Sequence, residues 1–101
     1  MGWAAAYIAR LQAGETVSFR PRGHSMTGIV NNGQLATVAP LTDADSIAKG
    51  DVVLCRVRGA EYLHLVKACG AQGYQIGNNR GGVNGWTPRK NIFGRLIDVQ
   101  P

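Results

Sequence analysis

Residues 51–68 read DVVLCRVRGAEYLHLVKA. Two runs rich in apolar and β-branched residues, Asp51 to Arg58 and Glu61 to Ala68, flank Gly59-Ala60. Such runs with a glycine between them predict a long β-hairpin that turns at Gly59-Ala60. With Arg58 opposite Glu61, Cys55 faces His64 and Cys69 faces Gly50. Side chains alternate along a strand, so Tyr62, His64, Val66 and Ala68 share one face. Leu63, Leu65, Lys67 and Cys69 share the other. This register disfavours a Cys55–Cys69 disulfide, because bonded cysteines need Cα atoms within about 7 Å. Two reduced thiols are expected.

Outward from the hairpin the pattern stays short-stranded. Thr16 to Arg20 alternates, with Val17 and Phe19 on one side, and Leu35 to Ala39 is a β-branched run ended by Pro40. Tyr74 to Ile76 and Ile92 to Val99 read as further strands. Residues 77–85, GNNRGGVNG, read as loop and turn throughout. Only the start differs. Trp3, Tyr7, Ile8 and Leu11 fall on one helical face, and Gly14 follows in the usual stop position. The expected fold is mainly β, a single domain with an N-terminal helix segment (1–14) and a β domain (15–101).

A chain of 101 residues supports one modest core. With 45% apolar and 17% charged residues, it is neither a disordered tail nor a coiled coil. No apolar stretch is long enough for a membrane helix, and no leader pattern opens the chain, so a cytoplasmic protein without a membrane partner is expected. The net charge of +5 is uneven. Residues 51–101 carry seven basic against three acidic residues, chiefly through Arg80, Arg89, Lys90 and Arg95. Nucleic acid is therefore one partner class to weigh, beside a plainly solvated basic face.

Little in the chain is suited to chemistry. The two histidines, His24 and His64, lack metal-ligand spacing with the cysteines, so no metal or other cofactor is expected. The glycine-rich 77–85 segment lacks the Lys-Ser/Thr ending of a phosphate loop. Ser25 lies in a glycine-bounded break after the first strand, where its hydroxyl is exposed for reaction. Serine becomes a nucleophile when a base takes its proton. His64 and Lys67 are the available bases, and strand alternation puts them on opposite faces.

Gly23-His24-Ser25-Met26 resembles the Gly-x-Ser-Met nucleophile motif of the LexA and type I signal peptidase superfamily. In order along the chain, Gly33 with Leu35-Ala36-Thr37-Val38, Lys49-Gly50-Asp51-Val52-Val53-Leu54 and Tyr62-Leu63-His64-Leu65-Val66-Lys67 resemble later segments of that family. So do Gly77-Asn78-Asn79 and Ile92-Phe93-Gly94-Arg95-Leu96. The resemblance covers about residues 15–99. It implies a β-ribbon peptidase core in which Ser25 is the nucleophile and His64 the base, as in the Ser–His members, with Lys67 the alternative base. Gly23, Met26 and Asn78 would support the pair. It also implies a peptide or protein substrate or partner, and a stripped-down core of the kind carried by phages and mobile elements. The chain departs from the family at Gly28, where proline is usual, at Gln34, and at Asn78, both of which replace an aspartate. Asn78 can orient an imidazole without stabilising its positive charge. Ala13-Gly14 matches the bond that LexA-like proteins cut in themselves, but a helix stop explains it more simply.

Two other readings stay open on sequence alone. One is a non-catalytic regulatory module that binds a protein through a strand edge. The other is a nucleic-acid-associated protein using the basic second half. The sequence also leaves the oligomeric state open, a homodimer included.

Overall fold

A computed structural model describes residues 2–101 and leaves out only Met1, the first residue of the expected helix segment. The fold is mainly β. One helix, α1 (Ala5–Gln12), precedes seven strands: β1 (Val17–Phe19), β2 (Leu35–Pro40), β3 (Val52–Val57), β4 (Ala60–Gly70), β5 (Gly73–Gly77), β6 (Val83–Thr87) and β7 (Ile92–Gln100). They form one antiparallel sheet in the order β1-β2-β7-β3-β4-β5-β6.

Helix α1 starts two residues later than its apolar face predicts, leaving Trp3 in the turn before it. Ile8 and Leu11 are buried on β1, β2 and β7. The helix ends in a Schellman motif. Glu15 N–H donates to the Arg10 carbonyl and Gly14 N–H to the Leu11 carbonyl, both at 3.0 Å, with Gly14 at φ 87°. The Ala13–Gly14 bond is part of this stop.

The β3–β4 hairpin forms as expected, but its turn is one residue earlier. Val57 pairs with Ala60, and Arg58-Gly59 makes the turn. Both turn residues have positive φ, 51° and 82°, as a type I′ turn demands. The twist of this turn matches that of the strands, which overrides the reluctance of arginine to take positive φ. Cys55 therefore opposes Tyr62, and His64 opposes Val53. Both cysteines are free, Cys55 buried and Cys69 exposed.

Strand β3 is buried on both faces. Val52 and Leu54 join a core beneath α1 that includes Val17, Val38, Leu63 and Phe93. Val53, Cys55 and Val57 join a second core with Val66, Ile76 and Ile92. The period of two thus serves two cores at once. The far end of the sheet curls back: Thr87 on β6 donates its hydroxyl to the Arg56 carbonyl of β3 at 2.7 Å. β6 itself departs from the sequence expectation, because Val83, Asn84 and Gly85 lie in a strand rather than a loop. A glycine and an asparagine within it, after Gly81-Gly82, hide it from any propensity reading.

Two of the basic residues that raise the charge of the second half are tied inward. Arg89 donates to the Thr42 and Ile92 carbonyls, and Arg95 to the Ser46 carbonyl. They fasten the 41–50 connection to the sheet. No helix among the described residues is long and apolar enough to cross a membrane.

Candidate active site

Ser25 lies in the β1–β2 connection. This loop turns at Gly23 and Gly28, at φ 104° and 96°, where a side chain would be strained. Two asparagines hold the turns. Asn32 accepts from the Gly23 amide at 2.8 Å and Asn31 from the Gly28 amide at 3.0 Å. Met26 and Val30 anchor the loop by burying their side chains in the core beneath α1. Gly23 and Met26 thus position the loop that carries the serine, one through its turn and one through its anchor. Ser25 stands next to that anchor, half-buried, with Oγ 3.1 Å from Nε2 of His64.

His64 belongs to β4 and is 8% exposed. Its ring stacks on Tyr62 at 4.9 Å between centroids, so the two residues share a face as alternation requires. Nδ1 lies 2.7 Å from Oδ1 of Asn84. An amide oxygen only accepts, so Nδ1 carries the proton and Nε2 offers its lone pair to the Ser25 hydroxyl. Burial pushes the imidazole below its ordinary range, and the Asn84 bond opposes that shift without cancelling it. The neutral base form is therefore favoured at neutral pH.

Asn84 was not singled out by the sequence, and the reason is a β-bulge. Ile76 pairs with Gly85 and Gly77 with Val83, which leaves Asn84 as the extra residue of β6. A bulge re-aims a side chain that a regular strand would send elsewhere. Gly77, across the bulge, has no room for a Cβ, which would collide with the Gly82 carbonyl. A glycine beside an asparagine in a polar stretch carried no mark of this.

Asn78, the residue expected to orient the histidine, is committed to its own turn. Its Oδ1 accepts from the Arg80 amide at 2.9 Å and the Gly82 amide at 2.8 Å. Its neighbour Asn79 reaches the serine loop instead. The Asn79 amide donates to the Ser25 carbonyl at 2.8 Å, and its side-chain amide to the Thr27 carbonyl at 2.8 Å. Asn79 is thus a clasp between the β5–β6 connection and the Ser25 loop.

Lys67 makes no hydrogen bond to this arrangement. Val66 pairs with Ile76 and Ala68 with Gln75, so Lys67 is the bulged residue of β4. Its aliphatic stem lies beside Gly77. It makes no hydrogen bond or ion pair among the described residues. No group of three or more metal-ligating His, Cys, Asp or Glu side chains gathers among the described residues.

Ser25 and His64 line a groove of about 510 Å³. β5 pairs with β4 only from Leu65 onward, so residues 61–64 have no strand neighbour on that side. The N-terminal turn reaches over instead: the Trp3 indole donates to the Glu61 carbonyl at 3.2 Å. Chemically, the arrangement offers a hydroxyl, a base of the right tautomer and an acceptor that holds the base in place. The Ser25 amide has no internal acceptor among the described residues, which leaves it free to donate. Comparison with protein families, with curated proteins and with solved structures finds no match for this chain.

Proposed function

We propose that this chain is a small serine peptidase-like domain that cleaves peptide bonds with Ser25 as nucleophile and His64 as general base. The observation that carries this reading is the hydrogen-bonded series Ser25 Oγ, His64 Nε2, His64 Nδ1 and Asn84 Oδ1, at 3.1 and 2.7 Å. Nucleophile, base and orienting group stand in hydrogen-bond reach in the order that activation needs. The resemblance of Gly23-His24-Ser25-Met26 to the nucleophile motif of the LexA and signal peptidase superfamily supports the same assignment.

His64 takes the hydroxyl proton as Ser25 Oγ bonds to the peptide carbonyl carbon. The negative charge on the carbonyl oxygen faces the Ser25 amide. His64 then gives its proton to the leaving nitrogen as the C–N bond breaks, leaving an ester on Ser25. Water repeats the sequence: His64 takes its proton, the ester C–O bond breaks, and the proton returns to Oγ. Asn84 fixes the tautomer throughout but carries no charge to stabilise the imidazolium, which favours a slow enzyme over a fast one.

A fluorophosphonate probe with intact-mass readout tests the reading. Wild type gains one adduct and Ser25→Ala gains none. An unlabelled wild type, with no turnover of any peptide, would remove the peptidase and leave a binding module. That second reading draws on β6, an edge strand that exposes Val83 and Trp86, 57% and 50% accessible.

A further inference from the structure

The groove beside Ser25 has a chemistry of its own. Its apolar wall is built from three aromatic rings. Tyr7 stacks on Phe19 at 4.6 Å and 25°, and Trp3 leans on Phe19 at 5.5 Å and 60°. Met26, Val30 and Leu63 complete the apolar lining. Trp3 is 52% exposed and Tyr7 half-buried, with buried Phe19 behind them, so the open part of the wall is Trp3 and the edge of Tyr7. A volume of about 510 Å³ falls in the range of sites that enclose a ligand group. A methyl-sized side chain would leave most of that wall wet.

The charged lining is one-sided. Arg20 and Arg22 line the groove, and both are exposed. Arg20 donates to the Gly33 carbonyl at 2.8 Å, which leaves its charge uncompensated. Neither arginine has a carboxylate partner among the described residues. The one carboxylate of the lining, Glu61, is already spent. Its side chain is 3% exposed, and it is held by the Ala4 amide at 3.1 Å and by Arg56 at 3.0 Å. A ligand thus meets an aromatic surface and two guanidinium groups that have no carboxylate partner among the described residues.

We infer that the groove selects peptides that carry a bulky apolar side chain close to a carboxylate side chain. This inference rests on the peptidase reading and specifies its substrate class. The apolar group covers the Trp3–Tyr7–Phe19 wall and excludes water from the neighbouring dyad. The carboxylate answers Arg20 and Arg22, with the planar two-point geometry that guanidinium favours.

The test separates binding from turnover. Four fluorescent peptides combine Phe or Ala at one position with Asp or Asn at a neighbouring one. Their affinity for the full chain carrying Ser25→Ala is read by anisotropy, so that nothing is consumed. The Phe/Asp peptide should bind at least about tenfold tighter than the Ala/Asp peptide, given the area a phenyl ring buries. It should bind a few-fold tighter than the Phe/Asn peptide, and that margin should shrink at high salt. Adding Arg22→Gln, an exposed change that spares the core, should reduce the Asp margin and keep the Phe margin. Equal binding of all four peptides, or no binding of any, overturns the inference. Wild-type turnover of the four peptides at equal rates also overturns it while leaving the Ser25–His64 reading intact. Selective binding by Ser25→Ala with an unlabelled, inactive wild type upholds the groove chemistry and removes the peptidase.

Discussion

Helix α1 has no cap of its own, and the loss of Glu61 should show what replaces it. The residue at the cap position is Ala4, whose side chain cannot accept a hydrogen bond, and no acidic residue occupies the first turn. Ala4 is fully buried, so its amide has no water to fall back on. The Glu61 carboxylate, from the start of β4 beside the hairpin turn, accepts that amide and also pairs with Arg56. In Glu61→Ala the buried amide is stranded, at a cost of about 1–3 kcal/mol. Negative charge at the helix start is lost as well, at about 0.3–1 kcal/mol. The Arg56 side chain is 41% exposed and rehydrates, so the ion pair itself adds only about 0.2–1 kcal/mol. The sum is roughly 1.5–5 kcal/mol. For a domain of this size each kcal/mol lowers Tm by roughly 4–8 °C, so the midpoint should fall by at least about 6 °C. Glu61→Gln keeps an acceptor for Ala4 and loses only charge, so it should cost about 1 kcal/mol. Urea unfolding followed by tryptophan fluorescence measures both variants. If Glu61→Ala lies within about 0.5 kcal/mol of wild type, or if the glutamine variant is equally damaged, the cross-chain cap is wrong.

Further outcomes follow from the site and the thiols. His64→Ala should reduce turnover or probe labelling by about 10²–10⁴-fold. Ser25→Ala should abolish it and Lys67→Ala should leave it near wild type, whereas a dead Lys67→Ala with an active His64→Ala would reassign the base. Activity should rise with pH as the imidazole deprotonates, through a midpoint below the ordinary 6.5, because burial disfavours the charged ring. A midpoint above 6.5 would contradict the buried geometry. The same residue links stability to pH. The unfolded chain takes up the histidine proton first, so the stability present above about 6.5 is lost as pH falls toward the lower folded-state value. His64→Gln should flatten that part of the stability profile. Alkylation of the native protein without reductant should add one adduct, at exposed Cys69, because burial pushes the Cys55 thiol up to about 12. Two rapid native adducts would argue against the buried position of Cys55.

The strands that carry long apolar runs were legible, and so was the Ser25–His64 pairing. Alternation on β4 separates His64 from Lys67 whatever the exact register, which is why a turn misplaced by one residue does not change which of the two lies beside Ser25. The turn itself was misread because Arg58 takes positive φ, which its residue type does not advertise. Asn84 and the strand around it were illegible for a different reason. A bulge is a property of two strands compared, not of either sequence alone. The groove was hidden too. Tyr7 and Phe19 fit ordinary core patterns, and only the three-dimensional path of residues 20–23 shows them as a wall facing Ser25.

The Asn79 clasp has a consequence for the order in which reactivity appears. It joins residues 52 positions apart in the chain, and the link from His64 to Asn84 spans another 20. Contacts between such distant segments form late, since each must first close a long loop. A chain that has emerged only through β4 already contains both Ser25 and His64. It still lacks the amide that holds the serine loop and the oxygen that sets the tautomer of the base. On the proposed reading the serine is switched on only by completion of the sheet. On the proposed reading, a protein that cuts extended peptide becomes competent only once its own extended segments are folded away.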